Sequence, residues 1–270
     1  MKAISYSIFG PDKINEKNKF EFMAYLRGLY FNARMNKLLY PDWVTHITVE
    51  ESLLDAFGFY FSSLTLFFGV KIHTIKNAPL CESMLWRMLP VFSGEYTHVL
   101  CRDADSITTY KEAQAVNEWL QSGLGFHGIT DNPAHTQPMM GGMVGFNVEQ
   151  FKKSFPQFTS FQEMIKDQNL SERGSDQVFM RNYIYPHVRH KMMAHYFSGL
   201  KHSDEAMCKY DVSTPVPNVS PRLWESNLTC RHIGSAGVVE MELLRFFQRH
   251  DPNQYDAFET EFKSICYWKQ

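Results

Sequence analysis

The chain has 270 residues and a mass of 31.5 kDa, enough for one large domain or two small ones. Its 27 Lys+Arg and 29 Asp+Glu exclude a uniformly basic nucleic-acid-binding protein but leave room for a local basic face. An apolar content of 44% excludes a disordered chain, and the longest uncharged apolar run, 56–70, is too short to cross a bilayer. Five scattered cysteines without a CxxC pair indicate reduced thiols, so we expect a cytoplasmic protein without a membrane anchor.

Predicted strands and helices alternate over the first hundred residues. Apolar runs predict strands at 2–9, 43–49, 70–75 and 97–101, and helical spacing predicts helices at 16–39, 51–57, 79–89 and 111–121. This alternation indicates an α/β fold with a mostly parallel central sheet flanked by helices. Glycine- and proline-rich stretches at 123–128 and 131–145 predict ordered loops. Helices are predicted again at 238–249 and in the tail toward Trp268.

Two carboxylates follow the predicted fourth strand, in the sequence from Arg102 to Ser106. Asp103 and Asp105 stand two residues apart and can present oxygen atoms to one hard divalent cation. At the carboxyl end of a parallel strand they would lie where α/β sheets bind ligands. Such a cation keeps open positions for a diphosphate and could neutralise charge on a departing nucleotide. A solvated acidic turn is the simpler alternative, because two aspartates at this spacing are common by chance.

Two later segments carry further candidate ligands. His232 stands before glycines and a predicted helix, where backbone N–H groups could meet phosphate and the imidazole could complete a metal shell. The alternative is a structural or simply exposed histidine. Asp176 and Gln177 lie at a predicted helix start. They could hold sugar hydroxyls, or they could simply cap the helix.

The order of these motifs resembles that of metal-dependent, nucleotide-sugar glycosyltransferases of the GT-A type. The matching segments are Trp86-Arg87 with Pro90, Arg102 to Ser106, Lys111 to Leu120, Asp131 to His135, Gly141 to Gly145, Asp176-Gln177 and His232 to Gly234. They cover residues 80–237, and the first 80 residues match only as a nucleotide-binding α/β half. One departure is that no Lys-Pro-Trp follows the late His-x-Gly element. The resemblance implies one GT-A-like domain over 1–270, with a nucleotide-binding half at 1–106 and an acceptor-side half at 107–270.

The resemblance also implies a role for each matching residue. The predicted ligands of Mn²⁺ or Mg²⁺ are Asp103, Asp105 and His232. The donor would be a nucleotide-sugar, with a UDP-sugar expected. Its diphosphate and sugar would meet Arg87, Arg102, Gly142 and Gly234, and its base would lie beside Phe9 and Gly10. The predicted catalytic residues around the sugar and acceptor are Asp176, Asp131 and Arg87.

A basic and aromatic stretch at 177–203 contains no acidic residue. Its cations Arg181, Arg189, Lys191 and Lys201 could contact phosphates while its aromatic rings stack on bases, which favours a nucleic-acid partner. The alternative is a mixed surface helix whose aromatics belong to the core. The chain is also similar to small transferases of T-even-like phages, some of which place glucose or arabinose on 5-hydroxymethylcytosine in DNA. That resemblance implies a DNA acceptor whose base is extruded from the stack, in the cytoplasm of the phage's host.

The sequence leaves open another acceptor and two other classes of protein. The alternative acceptor is a cell-surface glycan or lipopolysaccharide. A haloacid-dehalogenase phosphatase also uses a DxD after a strand, but that motif normally sits on the first strand, and about a hundred residues precede it here. A non-catalytic nucleotide-sugar or DNA-binding module is the remaining alternative, and metal-dependent hydrolysis of a nucleotide-sugar would separate it from an enzyme.

Overall fold

A computed structural model of the chain describes residues 1–10, 19–76, 80–130, 137, 139–168, 170, 174–196, 247 and 252–265. Seven strands form one sheet: β1 (Lys2–Ile8), β2 (Trp43–Glu50), β3 (Lys71–Ile75), β4 (His98–Arg102), β5 (Phe126–Thr130), β6 (Met143–Asn147) and β7 (Met192–Tyr196). Their spatial order is β3-β2-β1-β4-β6-β5-β7. Strand β6 runs antiparallel to both neighbours, and the other adjacent pairs are parallel.

Helices flank both faces of this sheet. They are α1 (Lys19–Leu39), α2 (Glu51–Phe68), α3 (Leu80–Ser83), α4 (Leu89–Phe92), α5 (Tyr110–Ser122), α6 (Val148–Ser154), α7 (Phe161–Ile165), α8 (Ser175–Phe179), α9 (Tyr185–Val188) and α10 (Tyr255–Ile265). Short 3₁₀ turns lie at Trp86–Met88, Arg189–Lys191 and Pro252–Gln254, and a π-helical turn at Met180–Ile184 joins α8 to α9. None of the described helices combines the length and apolar character needed to cross a membrane.

Residues of β1 alternate between two cores, as expected for a strand buried on both faces. Ile4, Tyr6 and Ile8 pack on the face that α1, α2, α5 and α10 cover. Ala3 packs on the opposite face, with Trp86 and side chains from α4, α6 and α8. The predicted α/β architecture with a mostly parallel, helix-flanked sheet is therefore confirmed.

Two local predictions were wrong. The single helix predicted at 79–89 is broken into α3, a 3₁₀ turn and α4, and Pro90 lies in the first turn of α4 because its fixed φ suits a helix start. The glycine-rich stretches predicted as loops contain β5 and β6. A Cβ at Gly145 of β6 would come within 3.1 Å of Leu100, Trp119 and His127, which pack against the bare backbone there. The glycine marks close packing and not a turn.

Other predicted features fall partly outside the described residues. The helix predicted at 238–249 is described only at Phe247, whereas α10 lies in the predicted helical tail. The seven strands pair as one sheet across residue 106, and the division into halves at 1–106 and 107–270 stays a prediction.

Candidate active site

The carboxyl ends of β1, β2 and β4 meet at one edge of the sheet, the edge where parallel α/β sheets bind ligands. Gly10, just beyond β1, donates its backbone N–H to Glu50 Oε2 at 3.3 Å. The ring of Phe9 packs edge-on against Trp86, with the centroids 6.2 Å apart. The structure thus places Phe9 beside the turn that carries Arg87, and the role of Phe9 and Gly10 at the nucleotide base stays a prediction.

Arg87 joins two carboxylates that are distant in sequence. Its Nη1 donates to Asp103 Oδ1, and its Nη2 donates to Asp176 Oδ2 at 2.8 Å. Its Nε donates to the backbone oxygen of Met84 at 2.9 Å, which fixes the plane of the guanidinium. The 3₁₀ turn, the end of β4 and the first turn of α8 therefore meet at one buried cation. We call Arg87, Asp103 and Asp176 the acidic cluster.

Burial differs sharply between the two carboxylates of the acidic cluster. The side chain of Asp103 is 40% exposed, whereas that of Asp176 is 5% exposed. Burial raises the pKa of Asp176, and the nearby Asp103 charge raises it further while Arg87 opposes both. Burial alone would lower the pKa of Arg87, but the two aspartates raise it above its ordinary value, so the guanidinium stays charged. The cluster thus holds a fixed buried cation with one carboxylate facing solvent.

Gly141 and Gly142 allow the backbone before β6 to lie directly against the acidic cluster. A Cβ at Gly142 would overlap the carboxylate of Asp103, and a Cβ at Gly141 would overlap Asp176 Oδ2. A Cβ at Gly141 would also come within 3.3 Å of Arg87 Nη2. Glycine at both positions permits this close approach without displacing the two carboxylates. The predicted donor-binding position at Gly142 lies next to the predicted metal ligand Asp103.

Asp103 and Asp105 fit a hard divalent cation of the Mg²⁺ type. Such a cation is commonly held by one or two carboxylates and completes its shell with water and substrate phosphate. Asp103 faces solvent, and Asp105 is half-buried in the same turn after β4. Within the part of the chain that the structure describes, no three His, Cys, Asp or Glu side chains form a metal site. The third predicted ligand, His232, lies outside that part.

Arg102 is placed away from the acidic cluster. Its Nε donates to Glu112 Oε1 at 2.6 Å, and its Nη1 donates to the backbone oxygens of Cys101 and Val144 at 2.8 and 2.9 Å. The side chain is 3% exposed and packs toward α5. This placement argues against the predicted diphosphate contact, because Arg102 and its partner Glu112 are both almost fully buried, whereas Asp103, the partner of Arg87, reaches solvent. We assign Arg102 to the core.

The structure describes the basic stretch predicted at 177–203 only as far as residue 196. Arg181, Arg189 and Lys191 are partly exposed, and Tyr183 is 45% exposed and stacks on Phe179. Within the described residues of the stretch, Met192–Tyr196 forms β7, which pairs with β5. There His195 is fully buried and lies 3.0 Å from both His127 Nε2 and Glu118 Oε2, so it is excluded from any surface.

Some predicted residues lie outside the described part of the chain: Asp131, His232, Gly234 and Lys201. Sequence reasoning missed two residues of α1 that touch the turn carrying Asp103 and Asp105, namely Gly28 and Asn32. A signal was present, because glycine and asparagine are poor helix formers in the middle of an otherwise regular helical pattern.

The sequence matches no protein-family model and no curated protein. Solved structures with a similar course of the chain include a protein assigned as a nucleotide-diphospho-sugar transferase from Desulfovibrio desulfuricans G20, at 11% identity and a TM-score of 0.47, covering 98% of this chain and 96% of that one. Another is the 4-diphosphocytidyl-2C-methyl-D-erythritol synthase of Anaerococcus prevotii, at 8% identity and a TM-score of 0.43, covering 72% and 88%. A third is residues 1–349 of S. aureus TarS, at 7% identity and a TM-score of 0.38, covering 71% and 56%. These scores are too low to carry an assignment of function, which rests on the site itself.

Proposed function

We propose that the chain is a metal-dependent glycosyltransferase that uses a nucleotide-sugar donor. The observation that carries the proposal is the acidic cluster, a buried arginine clamped between a solvent-facing and a buried carboxylate at the ligand-binding edge of the sheet. It gathers three residues that the resemblance to GT-A enzymes predicts as site residues. A bare acidic turn would not require Arg87, Asp176 and two close glycines around it.

Each residue of the site has a distinct task in this proposal. Asp103 and Asp105 would hold Mn²⁺ or Mg²⁺, and such a cation would supply stabilisation of negative charge on the nucleoside diphosphate. Arg87 offers a planar guanidinium to the diphosphate or donor sugar. Asp176 keeps that guanidinium oriented and faces the sugar and acceptor. Phe9 and Gly10 border the nucleotide base, for which uridine is the expected identity.

For the acceptor, we propose DNA carrying 5-hydroxymethylcytosine, with glucose or arabinose as the sugar transferred. The supporting observation is that the basic stretch continues directly from Asp176 through α8 and the following π-helical turn. Arg181 and the exposed ring of Tyr183 therefore lie within two turns of the acidic cluster. Cations that contact phosphates and rings that stack on extruded bases are suited to such a substrate. An oligosaccharide or lipopolysaccharide acceptor is the alternative outcome of the test below.

The proposal is tested with purified protein, Mn²⁺ and a panel of nucleotide-sugars, with plain DNA, hydroxymethylated DNA or oligosaccharides as acceptors. We expect release of nucleoside diphosphate with one donor, and the most with hydroxymethylated DNA. Asp103→Asn and Asp105→Asn should each lower transfer by about a thousandfold, because metal stabilisation of a leaving phosphate contributes several kcal/mol.

A matched control makes the same chemical change at the opposite edge of the sheet. Asp42 is exposed in the turn before β2, so Asp42→Asn should keep wild-type transfer. Full transfer in EDTA, or in Asp103→Asn, would refute the metal site. Turnover of phosphomonoesters without any nucleotide-sugar would instead favour a phosphatase.

A further inference from the structure

The inner face of α1 contacts the turn that carries the two predicted metal ligands, Asp103 and Asp105. Asn32 is fully buried, and its Nδ2 donates to the backbone oxygen of Ser106 at 2.7 Å. Its Oδ1 accepts the backbone N–H of Thr108 at 2.9 Å. The N–H of Ser106 in turn donates to the backbone oxygen of Asp103 at 3.3 Å, which closes the turn. One side chain of α1 therefore ties down the segment that follows the carboxylates.

Gly28 lies one helical turn before Asn32 and touches the same segment. A Cβ at Gly28 would overlap the backbone oxygen of Ala104, the residue between the two carboxylates. It would also lie 3.5 Å from the Cα of Asp105. Because the obstacle is backbone and not a flexible side chain, any larger residue at position 28 would push the turn away from α1. The helix and the turn are thus in direct backbone contact.

These residues break the local rules of helix formation where α1 meets the turn. Gly28, Asn32 and Asn36 follow one another at intervals of four residues within α1. Glycine costs about 1 kcal/mol relative to alanine in a helix interior, and asparagine is also unfavourable. Asn36 extends the same contact, since its Oδ1 accepts from Thr108 Oγ1 at 3.2 Å. Such departures from local preference are expected where a contact serves a functional site.

We propose that Gly28 and Asn32 are positioning residues that fix the spacing of the Asp103 and Asp105 carboxylates and thereby set the affinity for the divalent cation. The inference rests on the proposed function and adds to it a part of α1 that touches neither cation nor donor. Groups that orient metal-binding carboxylates typically account for roughly 10–100-fold in metal affinity. The same rule applies to a side chain that holds the backbone on which both carboxylates stand.

The test is the affinity for Mn²⁺, measured from the electron paramagnetic resonance of free Mn²⁺ at a temperature where each variant is folded. We expect Asn32→Ala and Gly28→Ala to bind Mn²⁺ about tenfold more weakly or worse. Asn32→Leu serves if Asn32→Ala does not fold, because it keeps the size and adds no charge but loses the donor to Ser106 and the acceptor for Thr108. It should also bind Mn²⁺ more weakly than the wild type.

Two matched controls perturb the same region without touching the turn. Tyr60→Phe removes a buried hydrogen bond of 2.6 Å from the Tyr60 hydroxyl to the backbone oxygen of Leu26, on the α2 side of α1. Gly58→Ala adds a Cβ that meets nothing within 4 Å. Both controls should keep the wild-type affinity.

The outcomes separate this inference from the proposed function. Wild-type affinity in folded Gly28→Ala and in the folded Asn32 variants would overturn the positioning role and leave the metal site standing. Weakened binding in Tyr60→Phe to the same extent would also overturn it, because general destabilisation would then explain the loss. A wild-type protein that binds no Mn²⁺, even with nucleoside diphosphate present, would overturn the metal site itself and the positioning role with it.

Discussion

Arg102 and Arg87 are two buried arginines near the same edge of the sheet, and they differ in the exposure of their carboxylate partners. Arg102 is enclosed with Glu112, and both side chains are almost completely buried. Arg87 is equally buried, but one of its two carboxylates, Asp103, reaches solvent. A guanidinium whose partner is exposed can exchange that partner for a phosphate or yield it to a metal, whereas an enclosed pair cannot exchange. The exposure of the partner, and not that of the arginine, distinguishes the site from the core.

The largest expected effect is a difference in unfolding free energy between variants of the two arginine pairs. Glu112→Gln leaves the Arg102 charge buried without compensation, which typically costs about 3–5 kcal/mol of unfolding free energy. Asp103→Asn should cost about 1 kcal/mol or less, because Asp103 is partly exposed and Arg87 keeps Asp176. Urea unfolding measures both. Equal losses in the two variants would show that the two arginine pairs are energetically alike.

Two glycines extend the same comparison, because Gly142 lies against the site carboxylate Asp103 and Gly145 lies against buried core side chains. Gly142→Ala would displace the Asp103 carboxylate, and misplacement of about 1 Å near the reacting groups can cost roughly a hundredfold in rate. Gly145→Ala would press on Leu100, Trp119 and His127 and cost about 1–3 kcal/mol of stability through overpacking. We expect transfer to fall mainly in the first variant and the unfolding free energy mainly in the second. The reverse pattern would contradict the assignment of Asp103 to the functional site and of the Gly145 contacts to the core.

The sequence predicted β1 to β4 because short apolar runs report burial directly, but it missed β5 and β6 in glycine-rich stretches and β7 in a basic one. It also predicted that Asp103, Asp176 and Arg87 share a site, although that prediction depended on the order of known motifs and not on spacing. It could not separate Arg87 from Arg102, since the resemblance gives both arginines the same role and the sequence does not show which carboxylate each one meets. The two arginines differ in where their side chains point. Arg102, at the end of β4, points toward Glu112 of α5, whereas the 3₁₀ turn places Arg87 beside Asp103 and Asp176. Gly28 and Asn32 were missed because their task appears only when α1 packs on the turn.

The partly exposed cations Arg189 and Lys191 can be compared with the two buried arginines. Their replacement gives the smallest expected effect, a change in the salt dependence of DNA binding. Unlike the two buried arginines, Arg189 and Lys191 are partly exposed, so any DNA binding through them should weaken with salt. Replacing both with Ala should lower the slope of log affinity against log salt by about two, since each phosphate contact contributes roughly one unit. The loss should be similar for all DNA sequences, because phosphate contacts position the duplex and carry no sequence information.

A matched pair of exposed lysines on α6, Lys152 and Lys153, provides the control for this salt titration. Replacing both with Ala should leave the slope unchanged, and hydrolysis of the donor without acceptor should be the same in both double variants. An unchanged slope after removal of Arg189 and Lys191 would mean that these cations only cover the surface beside β7. Wild-type protein that binds no DNA but glycosylates an oligosaccharide would assign the acidic cluster to a glycan acceptor. In that case the metal site would stand, because Mn²⁺ binding is measured without any acceptor.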